Sequence, residues 1–214
     1  YIKLSKGEGS GNLPAEVVNA VANDLDGRVW AGTNAGIAVF YDPSGIFDGR
    51  SRDAQQVWID NGEESGYLLE AETVTSITVD GANNKWIGTR NGAWYVSDDG
   101  TEIIYHFTTE NSPLPVNYIR DIAVNNESGE VFFATDGGVV SLHNYATYGS
   151  DKHSDVYAYP NPVKPNYDGD IAIRGLVRDA NVKITDVAGN IVFETTAEGG
   201  QAIWDGKNFN GEKA

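Results

Sequence analysis

Three histidines and no cysteine leave few residues for metal or nucleophilic chemistry. His106, His143 and His153 are far apart in the sequence and have no carboxylate at the spacing of a metal site. The sequence also lacks the glycine patterns of phosphate and dinucleotide loops, and the GxSxG pattern of a serine nucleophile. We therefore predict no metal, no cofactor and no catalytic nucleophile.

Carboxylates are abundant, and a pair of them across a pocket could hydrolyse a glycosidic bond. Asp24, Asp26 and Asp80 nevertheless lie in short turn sequences, where aspartate is favoured because it bonds nearby backbone groups. The DLDG stretch resembles the start of a calcium loop, but no later acidic residue completes the spacing. These residues are predicted to be structural, and the chain is not expected to be an enzyme.

A different set of side chains has the chemistry to bind a ligand. It combines amides with one cation and one aromatic ring, and its members are Asn34, Arg90, Asn91, Asn117 and Tyr118. Such a mixture suits a glycan or an anionic glycolipid headgroup, because Arg pairs with anions and amides bond hydroxyl groups. The alternative is that these residues are ordinary polar loop tips.

A sequence repeat positions these side chains. Val74–Val96 predicts three short strands, because β-branched and aromatic residues alternate between Gly- and Asn-rich turns. Similar stretches lie at Val18–Phe40 and Ile119–Leu142, and the tryptophan-centred motif recurs after 56 and then 46 residues. A period of this size indicates propeller blades. We predict an all-β fold with about three four-stranded antiparallel blades, too few for a closed propeller.

Strand parity decides which turns share a rim. The turns at 24–27, 80–84 and 125–129 join first and second strands, so they lie on one rim. The turns Asn34-Ala35 and Arg90-Asn91 lie on the opposite rim, together with the loop containing Asn117-Tyr118 that leads into an inner strand. The candidate binding residues are therefore expected on one rim and the acidic turns on the other.

The repeat residues themselves have structural explanations. Tryptophan can fill the space between stacked sheets, glycine permits tight turns and threonine suits strand ends. The residues assigned these roles are Trp30, Gly32, Thr33, Trp86, Gly88, Thr89, Phe132 and Thr135.

The net charge of −16 is unevenly distributed, since residues 1–150 contain 21 acidic and 8 basic side chains. Binding to a phosphate backbone requires a basic face, so we expect no nucleic-acid partner. No apolar run reaches the roughly 20 residues of a membrane helix. Most of the acidic charge is expected to be a solvated surface.

The pattern LPxxxVxxxxxDxxGxxWxGTxxG resembles the two-component-regulator propeller repeat, which occurs in periplasmic sensor domains and in secretion-associated propellers. The resemblance covers residues 13–144 in three copies. The third copy departs from the pattern, with Phe132 in place of the tryptophan and Ala134 in place of the glycine.

The last part of the chain resembles the immunoglobulin-like C-terminal domain of type IX (Por) secretion proteins and its FlgD-like relatives. The matching residues are Tyr159-Pro160-Asn161-Pro162, Asp186-Val187-Ala188-Gly189 and Trp204-Asp205-Gly206-Lys207-Asn208. The predicted organisation is an incomplete propeller over residues 1–149, a linker over 150–155 and an incomplete immunoglobulin-like sandwich over 156–214. Such a chain is expected to be a fragment of a larger protein.

These resemblances imply a non-catalytic, exported propeller that binds a ligand or partner, with a C-terminal domain for secretion or surface docking. The implied partners are a glycan, an anionic glycolipid, or secretion and outer-membrane proteins. The implied location is the periplasm or outer-membrane surface of a Gram-negative cell. Two alternatives remain: the glycan-sensing domain of a two-component system, and the non-catalytic part of a propeller polysaccharide hydrolase or lyase.

Overall fold

The computed structural model describes residues 1–50, 52–60, 65–153 and 155–214. Ser51 of the segment between the first two repeats and Ser154 of the predicted linker lie outside the described residues. In the described chain the one helix is the single turn α1, Gly45–Asp48. The strands are β1 Val18–Asn23, β2 Val29–Thr33, β3 Gly36–Phe40, β4 Trp58–Asp60, β5 Ser65–Tyr67, β6 Val74–Val79, β7 Lys85–Thr89, β8 Gly92–Val96, β9 Ile103–Phe107, β10 Ile119–Asn125, β11 Glu130–Thr135, β12 Gly138–His143, β13 Tyr157–Tyr159, β14 Ile171–Arg174, β15 Asn181–Thr185, β16 Ile191–Thr196 and β17 Gln201–Trp204.

The three sequence repeats form three antiparallel meanders. Their strand orders are β1-β2-β3, β6-β7-β8-β9 and β10-β11-β12, and we call these sheets blades 1, 2 and 3. Register is the same in the first two, since Val18 pairs with Thr33 as Val74 pairs with Thr89, each before a bulge. The predicted all-β, partial-propeller fold is confirmed.

The prediction of four strands in every blade was wrong. Among the described residues only blade 2 has a fourth strand, β9, which pairs with β8. In blade 1 only a single bridge, between Gln55 and Val39, stands where a fourth strand would pair with β3, and Trp58–Asp60 pairs with β5 instead. The chain leaves the sheet after β3 because Asp42 bonds Ser44 and Gly45 and starts α1.

The blades pack through one large ring per junction. Trp30 of blade 1 is 0% exposed and lies in a core cluster with Val74, Ile87 and Val96 of blade 2. Trp86 of blade 2 is 1% exposed and lies in an equivalent cluster with residues of blade 3. Burying a ring of this size removes 150–250 Å² from water, so these clusters hold neighbouring blades together.

The chain divides into two compact units. Unit 1 comprises residues 1–79, 83–124 and 131–142, and unit 2 comprises residues 80–82, 125–130 and 143–214. Unit 2 contains the sheet β13-β14-β17 and the hairpin β15-β16, with a small core around Leu176, Ala197 and Ala202. The turn of this hairpin is closed by Asp186, which accepts the backbone N–H groups of Ala188 and Asn190.

Candidate functional site

Each turn between the second and third strands of a blade is closed by a threonine hydroxyl. Thr89 Oγ1 donates to the carbonyl of Gly92 at 3.0 Å and accepts from the backbone N–H of Asn91 at 3.0 Å. Thr33 and Thr135 make the equivalent pair of bonds in blades 1 and 3. The hydroxyl therefore fixes the direction in which the turn residues Asn34 and Asn91 project.

Glu72 joins the turns of blades 1 and 2. Its carbonyl accepts from the backbone N–H of Gly36 at 3.0 Å, and both oxygens of its carboxylate accept from Asn91 Nδ2 at 3.1 Å. Sequence reasoning missed Glu72. Its position in the sequence could have indicated this role, because Glu72 lies in the loop that leads into inner strand β6. Asn117 lies in the equivalent loop of blade 3.

Asn34 is connected to the same segment from the other side. Its side-chain oxygen accepts from Asn19 Nδ2 at 2.8 Å, and that amide also donates to the carbonyl of Val74 at 2.9 Å. The structure therefore brings Asn34 and Asn91 to the two ends of one short stretch, residues 72–74.

A stacked ring pair extends the Asn91 turn. His106 Nε2 donates to the carbonyl of Asn91 at 3.0 Å. The imidazole lies flat on the indole of Trp94, with ring centroids 3.5 Å apart and planes 8° apart. This stack holds the turn against the outer strand β9, and sequence reasoning assigned no role to either ring.

Asn117 and Tyr118 lie in the loop that leads into blade 3. Asn117 Oδ1 accepts from the backbone N–H of Thr109 at 2.8 Å, so this amide stabilises the loop. The guanidinium of Arg120 lies 4.8 Å from the ring centre of Tyr118 and pairs with Asp136 at 2.6 Å. The hydrogen bond from Arg120 holds the pKa of Asp136 below its usual value, and the same bond raises the pKa of Arg120.

Arg90 differs from its neighbours on this rim. It is exposed, and it makes no ion pair with any residue that the structure describes. Asn34 and Asn91 are connected through residues 72–74, while Asn117 and Tyr118 are held by their own loop. We refer to these five residues together with Glu72 as the polar rim.

A groove of about 290 Å³ adjoins the polar rim at Glu72. Its walls include the aromatic side chains Tyr67 and Trp94 and the carboxylates Glu70 and Glu72. Trp58 stacks edge-on against Tyr67 at 5.2 Å and is 53% exposed. An aromatic wall beside hydrogen-bonding groups can contact the apolar face of a sugar ring while the polar groups bond its hydroxyls.

Two carboxylates of the acidic turns on the other rim, Asp24 and Asp80, are buried. Asp24 is 6% exposed and Asp80 is 0% exposed. Asp24 accepts from Trp30 Nε1 at 3.0 Å and pairs with Lys85 Nζ at 3.3 Å, while its turn bonds to Asp26 and Arg28 form as predicted. It therefore ties its own tryptophan to a lysine of the next blade.

Lys85 is fully buried at this junction, which the sequence did not predict. Its ammonium also donates to the carbonyls of Asn83 and Asp98 and lies 4.6 Å from the ring centre of Trp30. Burial lowers the pKa of Lys85, and the charge of Asp24 opposes that shift. Burial alone would raise the pKa of Asp24, but bonds from Trp30 and Arg28 and the charge of Lys85 lower it overall.

Among residues 1–50, 52–60, 65–153 and 155–214, no three His, Asp or Glu side chains are grouped so that they could hold a metal ion. Across the same residues, no helix has the length and apolar character needed to cross a membrane.

Comparison with solved structures finds a likeness over nearly the whole chain. No family model and no curated protein matches the chain. PorZ, an essential bacterial surface component of the type-IX secretion system of Porphyromonas gingivalis, matches with 32% identity and a TM-score of 0.62. The match covers 93% of this chain and 27% of the PorZ chain, so this chain spans about a quarter of that protein.

Extracellular domains of sensor proteins also match, at lower similarity. One belongs to a one-component system of B. thetaiotaomicron, with 15% identity, a TM-score of 0.48, and coverage of 88% of this chain and 25% of that one. Another belongs to a hybrid two-component system of the same organism, with 17% identity, a TM-score of 0.37, and coverage of 95% and 40%. These likenesses are too distant to support an argument about function.

The PorZ match shows that the chain is similar, over nearly its whole length, to part of a type-IX secretion protein.

Proposed function

We propose that this chain is a non-catalytic binding module of an exported propeller protein associated with type IX secretion. The observation that carries the proposal is the 32% identity to PorZ over 93% of the chain. The sensor-domain structures are only 15% and 17% identical to it. The proposed location is the periplasm or the outer-membrane surface. The proposed role of residues 156–214 is to dock the protein to secretion or outer-membrane components.

The proposed ligand is a glycan or glycolipid headgroup that carries an anionic group, and the proposed site is the polar rim. Arg90 supports this choice, since it is an exposed cation without an ion-pair partner in the described chain. A free guanidinium in a protein of net charge −16 is the natural contact for a carboxylate or phosphate. The aromatic groove beside Glu72 would contact the uncharged part of the same ligand.

The test is binding of the purified chain to immobilised lipopolysaccharide and to an array of bacterial glycans. A charge-assisted hydrogen bond from Arg is worth roughly 1.5–3 kcal/mol, so Arg90→Ala should weaken an anionic ligand about 10- to 100-fold. Arg50→Ala is the matched control, because that exposed arginine is paired with Asp42 and Asp48. We expect it to leave the affinity unchanged.

The substitution Asp80→Ala, on the other rim, is an unsuitable control because that carboxylate is buried. Equal binding by the wild type and Arg90→Ala would reject the polar rim as the site. Absence of binding to every anionic glycan, with retained binding to an outer-membrane protein, would reject the ligand class but leave the docking role.

A further inference from the structure

Unit 2 contains a cavity that takes no part in the site described above. Its volume is about 280 Å³, and none of its lining residues belongs to the polar rim. The lining combines an arginine, a carboxylate, an amide, two hydroxyl groups, an aromatic ring and two glycines, and its members are Asn126, Glu127, Thr147, Tyr148, Ser150, Arg174, Gly175 and Gly200. All eight belong to unit 2. We call this space the Arg174 cavity.

Backbone hydrogen bonds join the separate segments that form its walls. The N–H of Tyr148 donates to the carbonyl of Asn126 at 3.0 Å, and the N–H of Gly200 donates to the carbonyl of Thr147 at 2.7 Å. Gly200 fits here because a Cβ on it would collide with the carbonyl oxygen of Tyr148. The walls are therefore fixed by bonds of the chain itself, as those of small-molecule pockets usually are.

Arg174 contributes a cation that is held in a fixed position. It ends β14, which pairs with β13 on one side and with β17 on the other. Its Nε donates to Gln201 Oε1 at 2.9 Å, and the buried amide of Gln201 donates in turn to the carbonyl of Tyr145 at 2.7 Å. The Nη groups make no hydrogen bond or ion pair with the residues that the structure describes. They therefore remain available to bind a carboxylate, for which the guanidinium group has a matching geometry.

Asn126 supplies an acceptor that lacks a donor. Its Oδ1 is buried and has no hydrogen-bond partner among the described residues. An unpaired buried acceptor is costly, so most such atoms in folded proteins are bonded by the chain, by water or by a ligand. An oxygen of this kind in the lining of a cavity therefore points to a ligand that carries a hydroxyl or N–H group.

Charge restricts the anion that the cavity can take. Glu127 adds a carboxylate to the same lining, and the chain carries a net charge of −16. Both repel a dianion such as a phosphate monoester about twice as strongly as a monoanion, because the Coulomb energy is proportional to the charge. A carboxylate is therefore favoured over a phosphate group.

We propose that the Arg174 cavity binds an acidic sugar, with the sugar's carboxylate on Arg174 and one of its hydroxyl groups donating to Asn126 Oδ1. The hydroxyl groups of Thr147 and Ser150 can bond further sugar hydroxyls. Tyr148, which is 58% exposed, can contact the apolar face of the sugar ring. The volume suits a single sugar residue, since pockets for larger ligands begin at about 300 Å³. A peptide C-terminus has the same charge but lacks the several hydroxyl groups that this lining matches.

The experiment is a titration of the ¹⁵N-labelled chain with sodium glucuronate, followed by NMR of the backbone amides. We expect saturable shifts at residues 147–150, 174–176 and 200. Glucose, which lacks the carboxylate, should bind about 10-fold more weakly or worse, because it cannot form a charge-assisted bond with Arg174. The position of the shifts separates this cavity from the polar rim, whose residues belong to unit 1.

Three variants test the charges of the cavity. Arg174→Gln should weaken glucuronate binding about 10- to 100-fold, because it removes the cation that pairs with the carboxylate. Lys183→Gln is the matched control, since it removes the same charge from an exposed side chain of unit 2 that does not line the cavity. Glu127→Gln should strengthen binding about 1.5- to 5-fold, because it removes a repelling carboxylate. Local unfolding cannot produce such a gain in affinity.

Asn126→Ala tests the unpaired acceptor. It should weaken glucuronate binding and yet leave the thermal unfolding temperature unchanged or higher, because the chain itself does not bond this oxygen. A lower unfolding temperature together with unchanged glucuronate binding would contradict the role given to Asn126.

The outcome is separate from that for the polar rim, because Arg90→Ala should leave glucuronate binding at this cavity unchanged. Shifts confined to the polar rim, or no saturable shift with glucuronate, overturn the proposal. So does binding that Arg174→Gln leaves intact. Tighter binding of N-acetylglycine than of glucuronate would overturn the acidic sugar and assign the cavity to a peptide C-terminus.

Discussion

At the scale of single residues, the junction between blades 1 and 2 depends on a buried ion pair. Lys85 and Asp24 have side chains that are both 0% exposed, and they meet at 3.3 Å beside Trp30. Two charges removed from water are stable only when each is paired and hydrogen-bonded, and here the indole N–H and two carbonyls complete the set. Removing one partner alone should therefore lower the free energy of unfolding by more than removing both partners.

Asp24→Asn should destabilise the chain by about 3–5 kcal/mol, since it leaves the Lys85 ammonium buried without a counter-charge. The double variant Asp24→Asn/Lys85→Met should recover part of that loss, although the carbonyls of Asn83 and Asp98 lose their donor. Urea unfolding of the wild type, both single variants and the double variant measures the coupling. Additive losses would show that the pair contributes nothing beyond its separate residues.

The same carboxylate has a defined pH dependence. Its pKa in the folded chain lies below the ordinary 3.8, so the unfolded state takes up the proton first as pH falls. Ionised Asp24 therefore stabilises the folded chain at pH values above 3.8, and this stabilisation is lost as the pH falls further. The gap in unfolding free energy between wild type and Asp24→Asn should accordingly narrow from about pH 5 to about pH 2.

Trp86 offers a simpler prediction. Trp86→Ala should lower the free energy of unfolding by about 3–5 kcal/mol, because the ring is fully buried between blades 2 and 3 and its removal leaves a cavity. Trp58→Ala is the matched control, since that ring is 53% exposed. Similar losses for the two variants in urea unfolding would contradict the packing described here.

At the scale of elements, the strand–turn–strand units are closed by threonine hydroxyls, while neighbouring blades differ in how fully they are built. Blade 2 has its outer strand and blades 1 and 3 do not in the described chain. Replacing the threonine should therefore destabilise the chain more at a buried turn than at an exposed one. Thr89 is 0% exposed, whereas the turn at Thr135 is open to water.

Thr89→Val should cost about 1–3 kcal/mol, because it leaves the carbonyl of Gly92 and the N–H of Asn91 without their partner. Thr135→Val should cost less, since water can replace the hydroxyl there. Thermal unfolding of the two variants makes the comparison. A larger loss at Thr135 would mean that the turn of blade 3 is the more buried one.

At the scale of the whole molecule, the described residues contain no group of three His, Asp or Glu side chains that could hold a metal ion for hydrolysis. Glu70 and Glu72 share the groove beside the polar rim, but both bond backbone or amide donors of their own unit. We expect no hydrolysis of polysaccharide or peptide substrates by the purified chain. Turnover that Glu72→Gln abolishes would reassign the groove as a catalytic site.

The sequence by itself determined the three strand–turn–strand repeats and the rim on which each of their turns lies. These follow from local rules, because a period-2 pattern fixes which face of a strand is buried and short turns fix which strands pair.

Only the tertiary structure decided what meets across a junction. Lys85 reads as an ordinary polar start to a strand, and its burial depends on Asp24, which lies 61 residues earlier and one blade away. Glu72 likewise gains its role because two blades place their turns on either side of it. Phe132 aligns with Trp86, yet it is 37% exposed, whereas Trp86 is buried because residues of blade 3 pack around it. Contacts between residues distant in sequence depend on how whole blades stack, and strand periodicity carries no information about that.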